Sequence, residues 1–418
     1  MKNTAIAAAL AGLLASSFAP LARADAIVDW NQRSAQFITE ARLGTPPAIR
    51  VMALVQTAAY EAARDTARDG AQAQSLAVAG AHRHALQQLL PAQQTAIEAA
   101  YQAAVAALGD ASTRERHAAA GERAAQRVLA QRAGEMPRTP DIYRPTTTPG
   151  TYVPTALPAV TQWPQRKPWL LDRADQFRPG APPALTSERW KRDYDEIKAL
   201  GARDSRTRSA EQTAIGRFWD YSLPDIYYGV VRSVVQATGQ PSGQPSGQTP
   251  GQPAAQTTAQ LGARSLLDNA RLFATVAQAM DDAAVAVFDA KYAFNYWRPI
   301  TASRNGDLDG HDGTERDASW LPLIDTPMHP EYPCAHCTLA AAVGTVLQGQ
   351  GVLPVLATSS PTAQGAVRRW ATPEAFIQEV ALARIAAGVH YRSSAETGTA
   401  LGRRIGTLAL ERSPGAGQ

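Results

Sequence analysis

The apolar residues of this 418-residue chain recur at helical rather than strand spacing, and that period limits the fold more than any other feature. Val51, Leu54, Val55, Ala58 and Ala62 share one helix face, as do Phe273, Val276, Ala277, Met280, Ala284, Val287 and Phe288. Abundant alanine, the strongest helix former, points the same way. The period predicts further helices near 27–42, 74–90, 92–108, 112–134, 187–201, 206–218, 225–237, 336–350, 374–388 and 395–411. No stretch shows a convincing apolar/polar alternation of the kind a half-buried strand needs. The expected fold class is all-α.

Two stretches interrupt the pattern. Between about Pro137 and Pro183 it dissolves into Thr-Pro, Pro-Gly and isolated tryptophans, with Thr146 to Gly150 the clearest breaker. A long connection wrapped over the helices is expected there, with no obvious catalytic residue. A Gly-Gln-Pro-Ser tract at 239–260 lacks the apolar residues to build a core and reads as a low-complexity surface insertion. The organisation that follows is an N-terminal helical scaffold at 25–136, a wrapping segment at 137–183, and a helical region at 184–418 that carries the chemistry, all in one integrated domain.

The chain opens with Met1-Lys2, an apolar stretch from about Ala5 to Phe18, and the small-x-small sequence Ala22-Arg23-Ala24. Residues 1–24 read as a secretory signal, because the apolar stretch is shorter than the roughly 20 residues a bilayer span requires. The expectation is an exported protein, periplasmic or secreted, without a membrane span. Removing Lys2 and Arg23 lowers the basic count from 41 to 39 against 37 acidic residues, and the formal charge from +4 to +2. So small a charge argues against nucleic acid as a partner. Two cysteines, Cys334 and Cys337, are too few for a disulfide scaffold.

The chemistry concentrates in three segments of the last third. Lys291 and Arg298 lie seven apart, two turns of helix, on the face that continues the stripe of Met280, Ala284, Val287 and Phe288. Two inward-facing cations are costly without an anion, unless Asp281, Asp282 or Asp289 pairs with them. Next comes His329-Pro-Glu-Tyr-Pro-Cys334-Ala335-His336-Cys337, leading into a helix whose first N–H groups and dipole form an anion site. His336 falls in its first turn, as a proton-exchanging group or a capping histidine. In the third segment, Arg384 precedes a helix end at Gly388, and His390 occupies the turn before Ser393-Ser-Ala-Glu396, which reads as a capping box. There His390 either faces a pocket or is a buried structural histidine, and Arg384 equally suits a salt bridge.

In order, Lys291-x6-Arg298-Pro299, Pro333-Cys334-Ala335-His336 and Arg384-x5-His390 resemble the three-part signature of the vanadium-dependent haloperoxidase and type 2 phosphatidic acid phosphatase superfamily. The usual pattern is K-x6-R-P, then P-S-G-H, then S-R-x5-H-x3-D. Trp30-Asn31, Pro46-Pro47, Met52 to Asp65, Phe218-Trp219 and 266–304 look like soluble bacterial haloperoxidase-like members. The resemblance implies helical bundles with a four-helix-bundle core and an oxyanion at one bundle's end. Lys291, Arg298 and Arg384 would hold the oxygens of vanadate or phosphate, with the Ala335 N–H and the Cys334 side chain in place of the usual glycine and serine contacts. His390 would ligate the vanadium of vanadate in a haloperoxidase, or attack phosphorus in a phosphatase; His336 would be the general acid–base. The implied cofactor is vanadate in a peroxidase and none beyond substrate phosphate in a phosphatase. The implied substrates are small molecules: hydrogen peroxide and halide, or a phosphate ester.

Four positions depart from the signature: Cys334 for serine, Ala335 for glycine, Ala383 for serine, and Ser394 for the aspartate after His390. A thiol donates poorly and, ionised at a helix N-terminus, repels an anion and is oxidised by peroxide. Loss of the aspartate removes the partner that orients His390, unless Glu396 or Ser394 serves instead. Two other classes stand beside the enzyme reading. Cys334 and Cys337 have the C-x-x-C spacing of a thiol–disulfide pair, and a non-catalytic protein would bind the oxyanion without turnover. Haem attachment is excluded by Thr338. Asp307, Asp309 and Asp312 read as a solvated acidic turn, and His82 and His84 as surface residues.

Overall fold

The computed structural model describes residues 25–135, 143–238, 264–351 and 353–413; the expected leader at 1–24 and the low-complexity tract at 239–260 lie outside them. In chain order the helices are α1 (Ala26–Glu40), α2 (Thr45–Asp65), α3 (Ala71–Leu89), α4 (Gln94–Val105), α5 (Ala111–Gln131), α6 (Glu188–Leu200), α7 (Ala210–Phe218), α8 (Asp225–Thr238), α9 (Leu266–Phe294), the short α10 (Pro299–Arg304), α11 (Ala335–Gln348), α12 (Pro373–Ala386) and α13 (Arg392–Arg412). Side chains that accept from the free N–H groups of the first turn start many of them: Asp25 for α1, Asp110 for α5, Ser187 for α6, and full capping boxes at Ser209 and Ser265 for α7 and α9. None of the described helices is long and apolar enough to cross a membrane.

The all-α reading holds with one local correction. Strands β1 (Leu356–Ser360) and β2 (Ala366–Trp370) pair antiparallel, with Leu356 opposite Trp370 and Ser360 opposite Ala366. Five-residue strands in which only a few side chains are buried carry too little alternation to register in a sequence. His82 is a second correction. It is fully buried, stacked on Trp30 at 5.4 Å and bonded through Nδ1 to the Val78 carbonyl, and burial pushes its pKa down to about 4. His84 is half-buried.

Helix α9 is the axis of the fold. It packs against α2 of an α2–α3–α5 group and against α11 and α13 of an α11–α12–α13 group, so apolar residues cover nearly all its circumference from Ala270 to Ala290. Its three buried carboxylates all have partners. Asp281 takes Arg50 Nη1 at 2.6 Å and Trp169 Nε1 at 2.7 Å, and Asp289 takes Arg178 Nε and Nη2 at 2.7 and 2.8 Å. Asp282 accepts the backbone N–H groups of Trp169, Leu170 and Leu171 at 2.6 to 2.8 Å. The irregular stretch 143–183 is thus fastened along α9, and farther on Tyr152 N–H donates to Asn295 O at 2.8 Å.

Close approach of α13 to α11 depends on glycine. A Cβ on Gly398 would sit 2.5 Å from the Cys334 carbonyl oxygen, and one on Gly402 would sit 2.1 Å from that of Thr338. Backbone cannot move aside as a flexible side chain can. Gly402→Val is therefore expected to lower the unfolding free energy by about 1–3 kcal/mol in urea titrations. Gly180→Ala, where nothing lies within 4 Å of the added carbon, serves as control and should change it by less than about 0.5 kcal/mol.

Candidate active site

Lys291 occupies the last turn of α9, which stops at Phe294 because Asn295 takes a left-handed conformation at φ 48°. Arg298 is not on that helix, contrary to the two-turn spacing argument. It has extended backbone at the N-cap of α10, and the turn at 295–297 brings it back beside Lys291. Arg384 comes from α12, and both arginines and the lysine are at most 1 % exposed. After α12 the chain reverses at Gly388, whose φ of 79° and 2.3 Å virtual Cβ contact with Gly201 O leave no room for a side chain. That reversal delivers His390.

The segment 329–331 binds these pieces together. Lys291 Nζ donates to the carbonyls of Pro330 and Glu331 at 3.0 and 2.9 Å. Arg298 donates through Nε to His329 O at 2.8 Å, through Nη1 to Val389 O at 2.9 Å, and through Nη2 to His329 Nδ1 at 2.9 Å. Arg384 Nη1 donates to Trp219 O, while its Nε is buried without a partner. Asp281, Asp282 and Asp289 serve other groups. Among the described residues, none of the three cations has a carboxylate oxygen within 4 Å.

Helix α11 points its start at the same place. Cys334 is its N-cap, with Cys334 N–H donating to Ser394 O at 3.2 Å and Sγ accepting from Cys337 N–H at 3.2 Å. Cys334 and Cys337 are joined as a disulfide, and both are fully buried. The expected Cys334 side-chain contact to an anion is corrected accordingly: a disulfide sulfur has no S–H to donate and no thiolate to repel. What the first turn offers is backbone N–H groups, including that of Ala335, with the helix dipole behind them. His336 follows, its Nε2 buried and unpartnered.

Burial and crowding by like charge set the protonation states. Arg298 and Arg384 are pushed down to about 10, chiefly by burial. Lys291 is held well below its usual value by burial and by Arg298, against the pull of Glu331. Burial likewise depresses His390, assisted by Arg298 and Lys291, and His336, assisted by Arg384. Each buried ion costs several kcal/mol of hydration, which Glu331 and Asp220 offset only in part, the net shift of all three cations being downward.

Two residues escaped the sequence reading. Glu331 is fully buried, and its Oε1 lies 2.7 Å from His390 Nδ1 in a hydrogen bond and accepts Tyr391 N–H at 3.1 Å. The carboxylate expected from Glu396 is absent from the site; Glu396 is exposed and faces Arg189 at 3.2 Å. Burial pushes the Glu331 carboxyl up to about 7, against the pull of Lys291 and Arg298; the buried Ser394 beside it also favours the ionised form, though its Oγ makes no hydrogen bond of ordinary geometry. The Ser393–Glu396 capping box is also corrected: α13 starts earlier, at Arg392. His329 is the second missed residue, edge-on to Phe288 at 5.1 Å and against Arg298. Both stood in the quoted segment, but only a folded chain shows that they face the cations. Asp309 belongs to a closed turn, accepting from Trp190 Nε1, Thr314 Oγ1 and His311 N–H, and no metal-binding cluster occurs among the described residues.

Residues 271–414, which hold every cation and histidine of this cluster, match the family described as the VCPO second helical-bundle domain. That region, about a third of the chain, is similar to the vanadium-dependent haloperoxidases. The chain is 28% identical over 190 residues to the vanadium chloroperoxidase of Curvularia inaequalis, a match covering 39% of this chain and 28% of that protein. The fold is shared with a bacterial vanadium-dependent iodoperoxidase (TM-score 0.71, 20% identity, 92% of this chain and 95% of that one). It is shared also with a bacterial vanadium-dependent chloroperoxidase in its apo form (0.70, 16%, 88% and 94%).

An anion entering this cluster restores the charge balance that burial disturbs. Phosphate is expected to raise the unfolding temperature of the protein, by the equivalent of about 2.7 kcal/mol at a hundredfold excess over Kd. Arg384→Met should leave the free protein at least as stable, since it removes an uncompensated charge, yet abolish most of that rise. Binding should also take up protons near neutral pH, because the free site holds Lys291 and both histidines below their usual values and an anion draws them back up. Calorimetric titration in buffers of different protonation enthalpy measures the sign.

Proposed function

We propose that this protein is a haloperoxidase-like enzyme that holds vanadate and oxidises halide with hydrogen peroxide, in the balance H2O2 + X− + H+ → HOX + H2O. The observation that carries the reading is the trio of fully buried cations, with no carboxylate oxygen within 4 Å among the described residues, beside a helix start and two histidines. Arg384 Nε and His336 Nε2, buried without partners, fit the oxygens of a tetrahedral oxyanion. The similarity to a vanadium chloroperoxidase and to bacterial vanadium-dependent iodo- and chloroperoxidases favours vanadate over phosphate.

Lys291, Arg298, Arg384 and the Ala335 N–H would hold the oxygens of vanadate, and His390 Nε2 would bond its vanadium. Bound there, vanadate supplies a Lewis-acidic centre that activates peroxide toward halide. The three cations stabilise negative charge on the oxygens in a water-poor setting. His336, neutral because burial and Arg384 disfavour its charged form, takes the proton released by peroxide at Nε2 and returns it to the oxygen that leaves as water.

The phosphatase reading drew support from a thiolate that peroxide would destroy, and the Cys334–Cys337 disulfide removes that objection to peroxide chemistry. The same disulfide is fully enclosed, which favours a staple over exchange with a partner's thiol. It also suits an oxidising compartment, in keeping with an exported protein. The test is to add vanadate to the purified protein and measure peroxide-dependent oxidation of iodide, bromide and chloride. Vanadate-dependent turnover is expected, lost in His390→Ala and reduced about 10²–10⁴-fold in His336→Ala. Phosphate-ester hydrolysis blocked by vanadate, without halide oxidation, would instead make it a phosphatase; tight oxyanion binding without either reaction would make it a binding protein.

A further inference from the structure

We propose that Glu331 is the positioning residue of His390, supplying from a different segment the carboxylate that the superfamily pattern places at position 394. The proposal deepens the oxyanion reading above and rests on it. In its ionised form, which Lys291 and Arg298 favour against burial, Glu331 only accepts hydrogen bonds, and the 2.7 Å contact at Oε1 then puts the His390 proton on Nδ1. Nε2 then keeps its lone pair, the state a ligating or attacking imidazole needs. Among the described residues Nε2 makes no hydrogen bond that would compete for it.

Glu331 is itself pinned. Its backbone N–H donates to Tyr296 O at 2.9 Å, its carbonyl accepts Lys291 Nζ at 2.9 Å, and Oε1 also accepts Tyr391 N–H at 3.1 Å. One residue therefore sets the relative position of a charge-bearing lysine and of the histidine. Ser394 is fully buried and adjacent to it. An aspartate at that position would crowd a second buried carboxylate against the first, so serine at 394 and glutamate at 331 are a matched exchange.

Glu331→Gln separates positioning from packing, because the amide keeps the shape and an accepting oxygen but loses the charge. Two effects of opposite sign follow. Removing a negative charge tightens an anion held by charge alone, for which inorganic phosphate is the probe. Weaker basicity at Nε2 loosens an anion that bonds to the ring, for which vanadate is the probe. The ratio of vanadate to phosphate affinity is expected to fall about 10–100-fold in Glu331→Gln. The double variant Glu331→Gln, Ser394→Asp is expected to recover most of it. If both affinities fall together at an unchanged ratio, or if the double variant remains folded and recovers nothing, the proposal is wrong. Nitrogen NMR of the free protein gives a reading independent of any anion: the His390 proton should reside on Nδ1, and a proton found on Nε2 overturns the assignment. Failure of the wild-type protein to bind either anion would sink the oxyanion reading, whereas the NMR result would still judge Glu331.

Discussion

The burial of three cations at one point, with no described carboxylate within ion-pair distance of them, is the interaction on which the rest of the structure depends. Left alone, such an arrangement opposes folding, since each charge loses several kcal/mol of hydration. It persists because backbone carbonyls from 329–331, Val389 and Trp219 take up the donors, and because large apolar surfaces around α9 outweigh the loss. The carboxylates that might have neutralised the charges are fastened elsewhere on the same helix. Asp281, Asp282 and Asp289 hold Arg50, the 169–171 backbone and Arg178, so α9 carries its acidic groups toward the wrapping segment and its lysine toward the site.

The sequence displayed the helices well because their signal is local. A 3.6-residue period repeated over α9 or α2 needs no knowledge of partners, and the caps at Ser209 and Ser265 are written within four residues. It displayed Lys291, Arg298, His336, Arg384 and His390 as a set only through their resemblance to a known three-part signature. Hidden were the features whose cause lies across the fold. Arg298 could be placed on a helix only by ignoring Asn295, whose left-handed turn aims the arginine. Glu331 carries no periodic or motif signal, and its meaning comes from a histidine 59 residues away. The β1–β2 pair and the buried His82 were missed for the same reason, being settled by Ser233, Trp30 and other distant neighbours.

Rigidity around the site comes from several separate devices that converge. Gly398 and Gly402 allow α13 to lie directly on the backbone of α11, and Gly388 allows the turn before His390 to press on Gly201. Each contact is backbone against backbone, with no rotamer freedom to absorb displacement. A cluster assembled from α9, α10, α11, α12 and the turn before α13 is thereby held without depending on any single loop.

The disulfide adds a property of another kind. It links the N-cap of α11 to the third residue beyond it, across the one turn that a helix finds hardest to form, since several backbone angles must be fixed before the first hydrogen bond is gained. Here that turn is closed covalently. The N–H groups at the head of α11 thus remain wound and parallel even when neighbouring helices breathe, so their aim is a matter of bonding and not of the protein's overall stability.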